Sequence, residues 1–176
     1  MSKTTLPENS IETDENRQHY VYLIACRNES SVYIKIGRSS NLVSRIRNIQ
    51  TGCPMTFVKT FCITSDYKEE VMGLEKLLHM RLKKLSERGE WYVANPEFLR
   101  ALIRLLRKIN SGNFTYEEIE QMPDFCGHEL EIMMHRHNFK FYRFRLMLSK
   151  KEQKNMFEKV STAQVVRELN NLITSE

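Results

Sequence analysis

Two short apolar runs, Tyr20–Cys26 and Val32–Gly37, are separated only by the polar residues Arg27, Asn28, Glu29, Ser30 and Ser31. Runs of this length, rich in β-branched and aromatic residues and joined by so short a link, predict an antiparallel β-hairpin. Strand side chains alternate between faces. Val32, Ile34 and Ile36 therefore share one face of the second strand, and Tyr33, Lys35 and Gly37 share the other. In the first strand Val21, Leu23 and Ala25 oppose Tyr20, Tyr22 and Ile24. The hairpin has an aliphatic face and a face that carries tyrosines and a lysine.

The pattern that follows says what packs on it. A helix is expected from about Asn41 to Gln50, with Leu42, Ile46 and Ile49 inward and Gly52 suited to a left-handed cap. Met55–Ile63 reads as a third strand. Val71, Leu74, Leu78, Leu82 and Leu85 recur at helical spacing and predict a long helix over Tyr67–Leu85. Gly89–Val93 reads as a short extended piece. Asn95 before Pro96 marks a helix start, because proline at the first helical position sacrifices no hydrogen bond. That helix carries Phe98, Leu102, Leu105, Leu106 and Ile109, and stops at Asn110–Ser111–Gly112.

Residues 1–19 are polar and aperiodic and read as a mobile tail. Beyond the stop, Thr115 and Glu118 have the spacing of a capping box. A helix is expected over Gly127–Asn138, an alternating strand over Phe139–Leu148, a helix opened by Ser149 and Glu152, and a last helix capped by Ser161. The expected architecture is α+β: a small three-stranded antiparallel sheet flanked by helices over residues 20–110, then a mainly helical accessory region over 114–176.

Charge is distributed unevenly. The chain has 176 residues and a net charge of +5. Residues 20–110 hold 16 basic and 8 acidic side chains, residues 1–19 hold 2 and 4, and residues 111–176 hold 9 and 10. The positive excess thus lies wholly in the middle, where it favours a polyanionic partner such as nucleic acid. No apolar run approaches the ~20 residues of a membrane span, and the N-terminus lacks a signal-peptide pattern. An intracellular protein is expected, with no membrane partner and with Cys26, Cys53, Cys62 and Cys126 as thiols.

Several features of this middle segment occur in a fixed order: Tyr22 within Val-Tyr-Leu-Ile; Tyr33, Lys35, Gly37 and Arg38 within Tyr-Ile-Lys-Ile-Gly-Arg; Arg45 ten residues after Lys35; then Glu75 with His79 one turn on. The set resembles the GIY-YIG endonuclease domain, in the branch with Lys-Ile-Gly in place of Tyr-Ile-Gly, over about Tyr20–Val93. The resemblance implies metal-dependent hydrolysis of phosphodiester bonds in DNA with one divalent cation, Mg²⁺ or Mn²⁺. It implies that Tyr22 orients or activates the attacking water, that Arg45 neutralises the phosphate, that Glu75 is the metal ligand, and that Arg38 lies at a position often basic.

The residue types suit that chemistry on their own terms. Lys35, Arg38 and Arg45 can stabilise negative charge on phosphoryl oxygens. A lone carboxylate suits Mg²⁺, which otherwise keeps water and substrate oxygens as ligands. A tyrosine of ordinary pKa, ~10, is a poor base at neutral pH, and Lys35 with a metal is expected to lower that of Tyr22. Lys35 stands where the second tyrosine of the family usually sits, and Tyr33, on the same strand face, is its candidate substitute. Ile49 stands where the family often has His or Tyr, and His79 is the candidate for the missing polar group. Arg47 is a further candidate substrate contact, Asn95 a candidate for the family's late asparagine, and Glu90 a neighbour able to approach the site.

Two C-terminal patterns carry rival chemistry. Cys126, His128, His135 and His137 suggest zinc, but without the spacing of a standard finger. The strand–helix–helix order over Phe141–Ile173 resembles a ribbon-helix-helix module, which implies a homodimer that presents Phe141, Arg143 and Arg145 to DNA. The alternatives to an endonuclease are a regulator that binds nucleic acid through the same fold without cutting it, and a protein-interaction adaptor.

Overall fold

The computed structural model describes residues 18–29, 31–111, 139–144 and 157–174. Among them the order is β1 (Tyr20–Asn28), β2 (Ser31–Ser39), α1 (Leu42–Gly52), β3 (Thr56–Thr64), α2 (Lys68–Leu82) with a 3₁₀ turn at Lys83–Leu85, β4 (Ser86–Arg88), β5 (Trp91–Val93), α3 (Pro96–Ser111), β6 (Lys140–Phe144), β7 (Phe157–Val160) and α4 (Thr162–Thr174). All seven strands form one antiparallel sheet in the order β4-β5-β2-β1-β3-β6-β7. No helix among the described residues is long and apolar enough to cross a membrane.

The hairpin forms as its alternation requires, with Tyr22 opposite Gly37 and Ile24 opposite Lys35. It separates two cores. On one face Val21, Leu23, Ala25, Val32, Ile34 and Ile36 pack with Val71, Leu74 and Leu78 of α2 and with Phe98, Leu102 and Leu106 of α3. On the other, Tyr22, Ile24 and Cys26 pack with Leu42 and Ile46 of α1, Cys62 of β3 and Phe144 of β6. Caps set the helix starts: the Asn41 side chain accepts from Ser44 N at 3.1 Å, and that of Asn95 from Phe98 N at 2.7 Å. Cys26, Cys53 and Cys62 are free thiols, and burial pushes that of Cys62 up to about 12.

The structure corrects the three-stranded sheet. Two additional strands, β4 and β5, follow α2, and Gly89 turns between them at φ +59°, a conformation that favours glycine. The C-terminal segment contributes β6 and β7 to the same sheet, and β6 lies within the strand expected over Phe139–Leu148. Phe157–Val160, for which the sequence gives no strand signal, is a strand because it pairs along β6. Gly52 is the last residue of α1 and not a left-handed cap, since Cys53 leaves the helix in an extended conformation. The last helix does begin at Ser161, whose hydroxyl accepts from Gln164 N at 3.2 Å.

The ribbon-helix-helix reading fails on pairing. Strand β6 is hydrogen-bonded to β3 on one side and β7 on the other, which leaves no edge for a second copy. Arg143 is engaged within the chain, by Glu158 at 2.7 Å and by Glu168 of α4. Arg145, Cys126, His128, His135 and His137, the capping box at Thr115, and the helices expected over Gly127–Asn138 and from Ser149 lie outside the described residues.

One contact ties the hairpin to the chemistry. A Cβ on Gly37 would sit 2.4 Å from the Tyr22 hydroxyl oxygen and 2.7 Å from the ring carbon that bears it. Glycine is needed here for space, not for its backbone freedom. Gly37→Ala is expected to destabilise the chain by about 1–3 kcal/mol, the usual cost of overpacking. Tyr22→Phe removes the atom nearest the clash, so in denaturant melts the double variant should lose less than the sum of the single variants. Strict additivity would show that the two positions do not compete for space.

Candidate active site

Strand β5 covers β2 only over Tyr33–Lys35. Beyond Lys35 the edge of β2 meets the turn at Glu90, whose carbonyl accepts from Ile36 N at 3.3 Å. At this edge side chains from both faces of the sheet come together. Tyr22, Lys35 and Arg45 arrive from the α1 side, while Glu75 and His79 arrive from α2 on the opposite side.

Contacts link them in sequence. Arg45 donates from Nε to the Tyr22 hydroxyl at 3.1 Å. Lys35 Nζ lies 2.8 Å from Glu90 Oε2 and 5.4 Å from the centre of the Trp91 ring, a cation–π distance. Arg38 Nε lies 2.8 Å from Glu75 Oε2, and His79 Nε2 lies 3.9 Å from Glu75 Oε1. The other ring nitrogen of His79, Nδ1, is 2.7 Å from the Tyr92 hydroxyl. One carboxylate oxygen from each of Glu75 and Glu90 and a ring nitrogen of His79 all lie within 4.8 Å of one another.

Burial sets the protonation states. It pushes Tyr22 above its ordinary pKa, an effect that the Arg45 hydrogen bond and charge only partly offset. Tyr22 is therefore a protonated hydroxyl at neutral pH in the metal-free chain. It is also fully buried, with its hydroxyl against Gly37. Burial likewise raises Glu75, against the opposing charge of Arg38. It lowers His79, with Lys35 acting in the same sense and Glu90 against, so the imidazole is neutral at pH 7. For Glu90 burial works to raise the pKa, but the hydrogen bond and charge of Lys35 prevail and hold the carboxyl below its ordinary range.

The edge thus brings together Tyr22, Lys35, Arg38, Arg45, Glu75 and His79. Tyr33 stands off from the ion pairs and lines a groove beside Lys35 and Arg45. Arg47 is exposed on α1 and belongs to neither the ion pairs nor the groove. Asn95 caps α3. Tyr92 is the participant that the sequence reading does not single out, and Glu90, read only as a neighbour able to approach the site, is the ion-pair partner of Lys35. Their signal is indirect: Gly89 marks a turn that must return the chain to a strand, and that strand must pair with something.

The donor set suits a divalent cation. Carboxylates are the ligands Mg²⁺ and Mn²⁺ prefer, and a neutral imidazole favours Mn²⁺ among the two. Three cations, Lys35, Arg38 and Arg45, face two carboxylates, so the cluster has a net positive charge before any ion is added. A surface of that charge suits an anionic ligand.

The T5orf172 domain pattern matches residues 19–107, which span the hairpin, the edge site and most of α3. No curated protein and no solved structure matches the chain. The ordered motifs, the edge they build and the match over half of the chain have one reading: the protein belongs to the T5orf172 domain family, a GIY-YIG-like group associated with nuclease-like proteins.

Proposed function

We propose that the chain is a metal-dependent endonuclease that hydrolyses phosphodiester bonds in DNA at the open edge of β2. The observation that carries this reading is the approach of Arg45, Lys35 and Arg38 to a Glu75–His79–Glu90 donor set on one edge. In the reaction water adds at phosphorus, one phosphorus–oxygen bond breaks, and a proton passes to the departing oxygen. Lys35 and Arg45 hold the phosphate and stabilise the charge that grows on its oxygens. Glu75, with His79 and Glu90 beside it, would hold Mg²⁺ or Mn²⁺, which supplies Lewis-acid stabilisation of that charge. Tyr22 acts through Arg45: the buried hydroxyl fixes the guanidinium at Nε and leaves its two terminal nitrogens for the phosphate. Tyr22 is therefore a positioning residue.

Four variants test this reading. Glu75→Gln is expected to abolish Mn²⁺-dependent nicking of plasmid DNA while thermal melting and DNA binding in EDTA persist, and unchanged nicking would remove Glu75 from the site. Arg45→Ala should slow cleavage roughly 100- to 1,000-fold. Tyr22→Phe should slow it less, and should cost nothing further in the Arg45→Ala background, because its effect passes through Arg45. Lys35→Met should tighten Mn²⁺ binding several-fold in calorimetry, since it releases Glu90 and removes a nearby like charge, yet it should weaken cleavage. DNA binding that is sensitive to salt with no turnover in Mg²⁺ or Mn²⁺ would favour a regulator that only binds.

A further inference from the structure

Next to the ion pairs lies a groove of about 440 Å³ between the second half of α1, the residues that follow it, and the β4–β5 turn. Its size is at the lower end of the ~300–1,000 Å³ typical of sites for small molecules. The lining is unlike that of the ion-pair cluster. Trp91 and Tyr33 contribute aromatic rings, and Ile49 and Met55 contribute aliphatic surface. All four are partly buried, so each packs against the protein on one side and faces the groove on another. Lys35 and Arg45 also line it, so the groove and the phosphate-binding cations are continuous.

We propose that this groove receives one unpaired nucleobase of the strand whose phosphate is held by Lys35 and Arg45, which makes single-stranded or locally unpaired DNA the substrate class. The inference rests on the nuclease reading for the phosphate and adds the base. Lys35 Nζ lies over the Trp91 ring at 5.4 Å from its centre and both residues line the groove, so a cation for the phosphate and a ring for the base adjoin each other. Aromatic surfaces bind bases by stacking without demanding a sequence. At the rim Asn48 offers both a donor and an acceptor and Glu87 an acceptor for the base edge, while Arg88 adds a third cation for the backbone. Three cations against the single Glu87 carboxylate match a polyanion. A base inside a duplex is already stacked and paired. Its entry into the groove requires extrusion, which costs least where the strand is single or mismatched.

Trp91 is the only tryptophan in the chain, so its fluorescence reports on the groove directly. The full chain in EDTA, where cleavage is stopped, is titrated with a short fluorescently labelled oligothymidylate, with the same strand made abasic, and with the labelled strand paired to its complement. Anisotropy of the label reports binding, and Trp91 emission reports occupancy of the groove. Saturable quenching by the single strand is expected, with little by the abasic strand or the duplex. Gly52→Leu is the second test. Gly52 lines the groove, and a Cβ there meets nothing within 4 Å, so the chain should fold while the groove narrows. It should abolish the quenching and weaken single-strand binding roughly tenfold, the loss of one stacked base, with duplex binding unchanged. Equal quenching by the abasic strand, or binding by anisotropy with no change at Trp91, would overturn the base site and leave the nuclease reading standing. No binding of any strand by anisotropy would overturn both.

Discussion

A β-sheet is a partition, and side chains on its two faces meet only where an edge is left open. Strand β5 pairs with β2 for three residues, Tyr33 to Lys35, and then gives way to the Gly89–Glu90 turn. The site depends on that early stop. The Tyr22–Arg45 hydrogen bond belongs to the α1 face, and Glu75 and His79 belong to the α2 face. A longer β5 would place a strand between them. Instead the Glu90 carbonyl takes up the Ile36 N–H and satisfies the backbone there, while its carboxylate joins Lys35.

The charges at this edge are arranged before any ligand arrives. Each carboxylate has a cationic partner at 2.8 Å, Arg38 for Glu75 and Lys35 for Glu90, whereas Arg45 is held by a neutral hydroxyl. A guanidinium fixed by a phenol keeps its full charge available to a phosphate, and one fixed by a carboxylate would not. Burial of Tyr22 keeps that phenol protonated. The two features reinforce each other: Gly37 makes room for the ring, the ring positions the guanidinium, and the guanidinium holds the proton-bearing hydroxyl in place.

The hairpin, α1, α2 and α3 are legible in the sequence, because each buries one face and its apolar residues recur at the period of its element. Strands β4 and β7 are not. Ser86–Arg88 is exposed throughout and has no apolar residue, and Phe157–Val160 is a strand only because β6 lies beside it. Within the site, Lys35, Arg45 and Glu75 stand out through the resemblance of the ordered motifs to GIY-YIG domains. Glu90 does not, since its contact with Lys35 spans 55 residues and exists only through the pairing of β5 with β2. The protonation of Tyr22 is likewise hidden, because a strand pattern says which face a ring occupies but not how completely that face is covered.

The C-terminal strands have a consequence for how the chain is made. Strand β3 finds its outer partner, β6, only about 80 residues later in synthesis, and Arg27 of β1 donates to the Leu172 carbonyl at 2.7 Å from 145 positions away. Such distant pairings slow folding, because the loop must close before the contact rewards it. All of the edge residues, Tyr22 to Tyr92, leave the ribosome well before β6. The nascent chain can therefore assemble its charged edge while β3 still offers an unpaired row of backbone groups to any neighbouring strand. The arrival of Lys140–Phe144 closes that edge of β3 and passes the outer position of the sheet to the C-terminal strands.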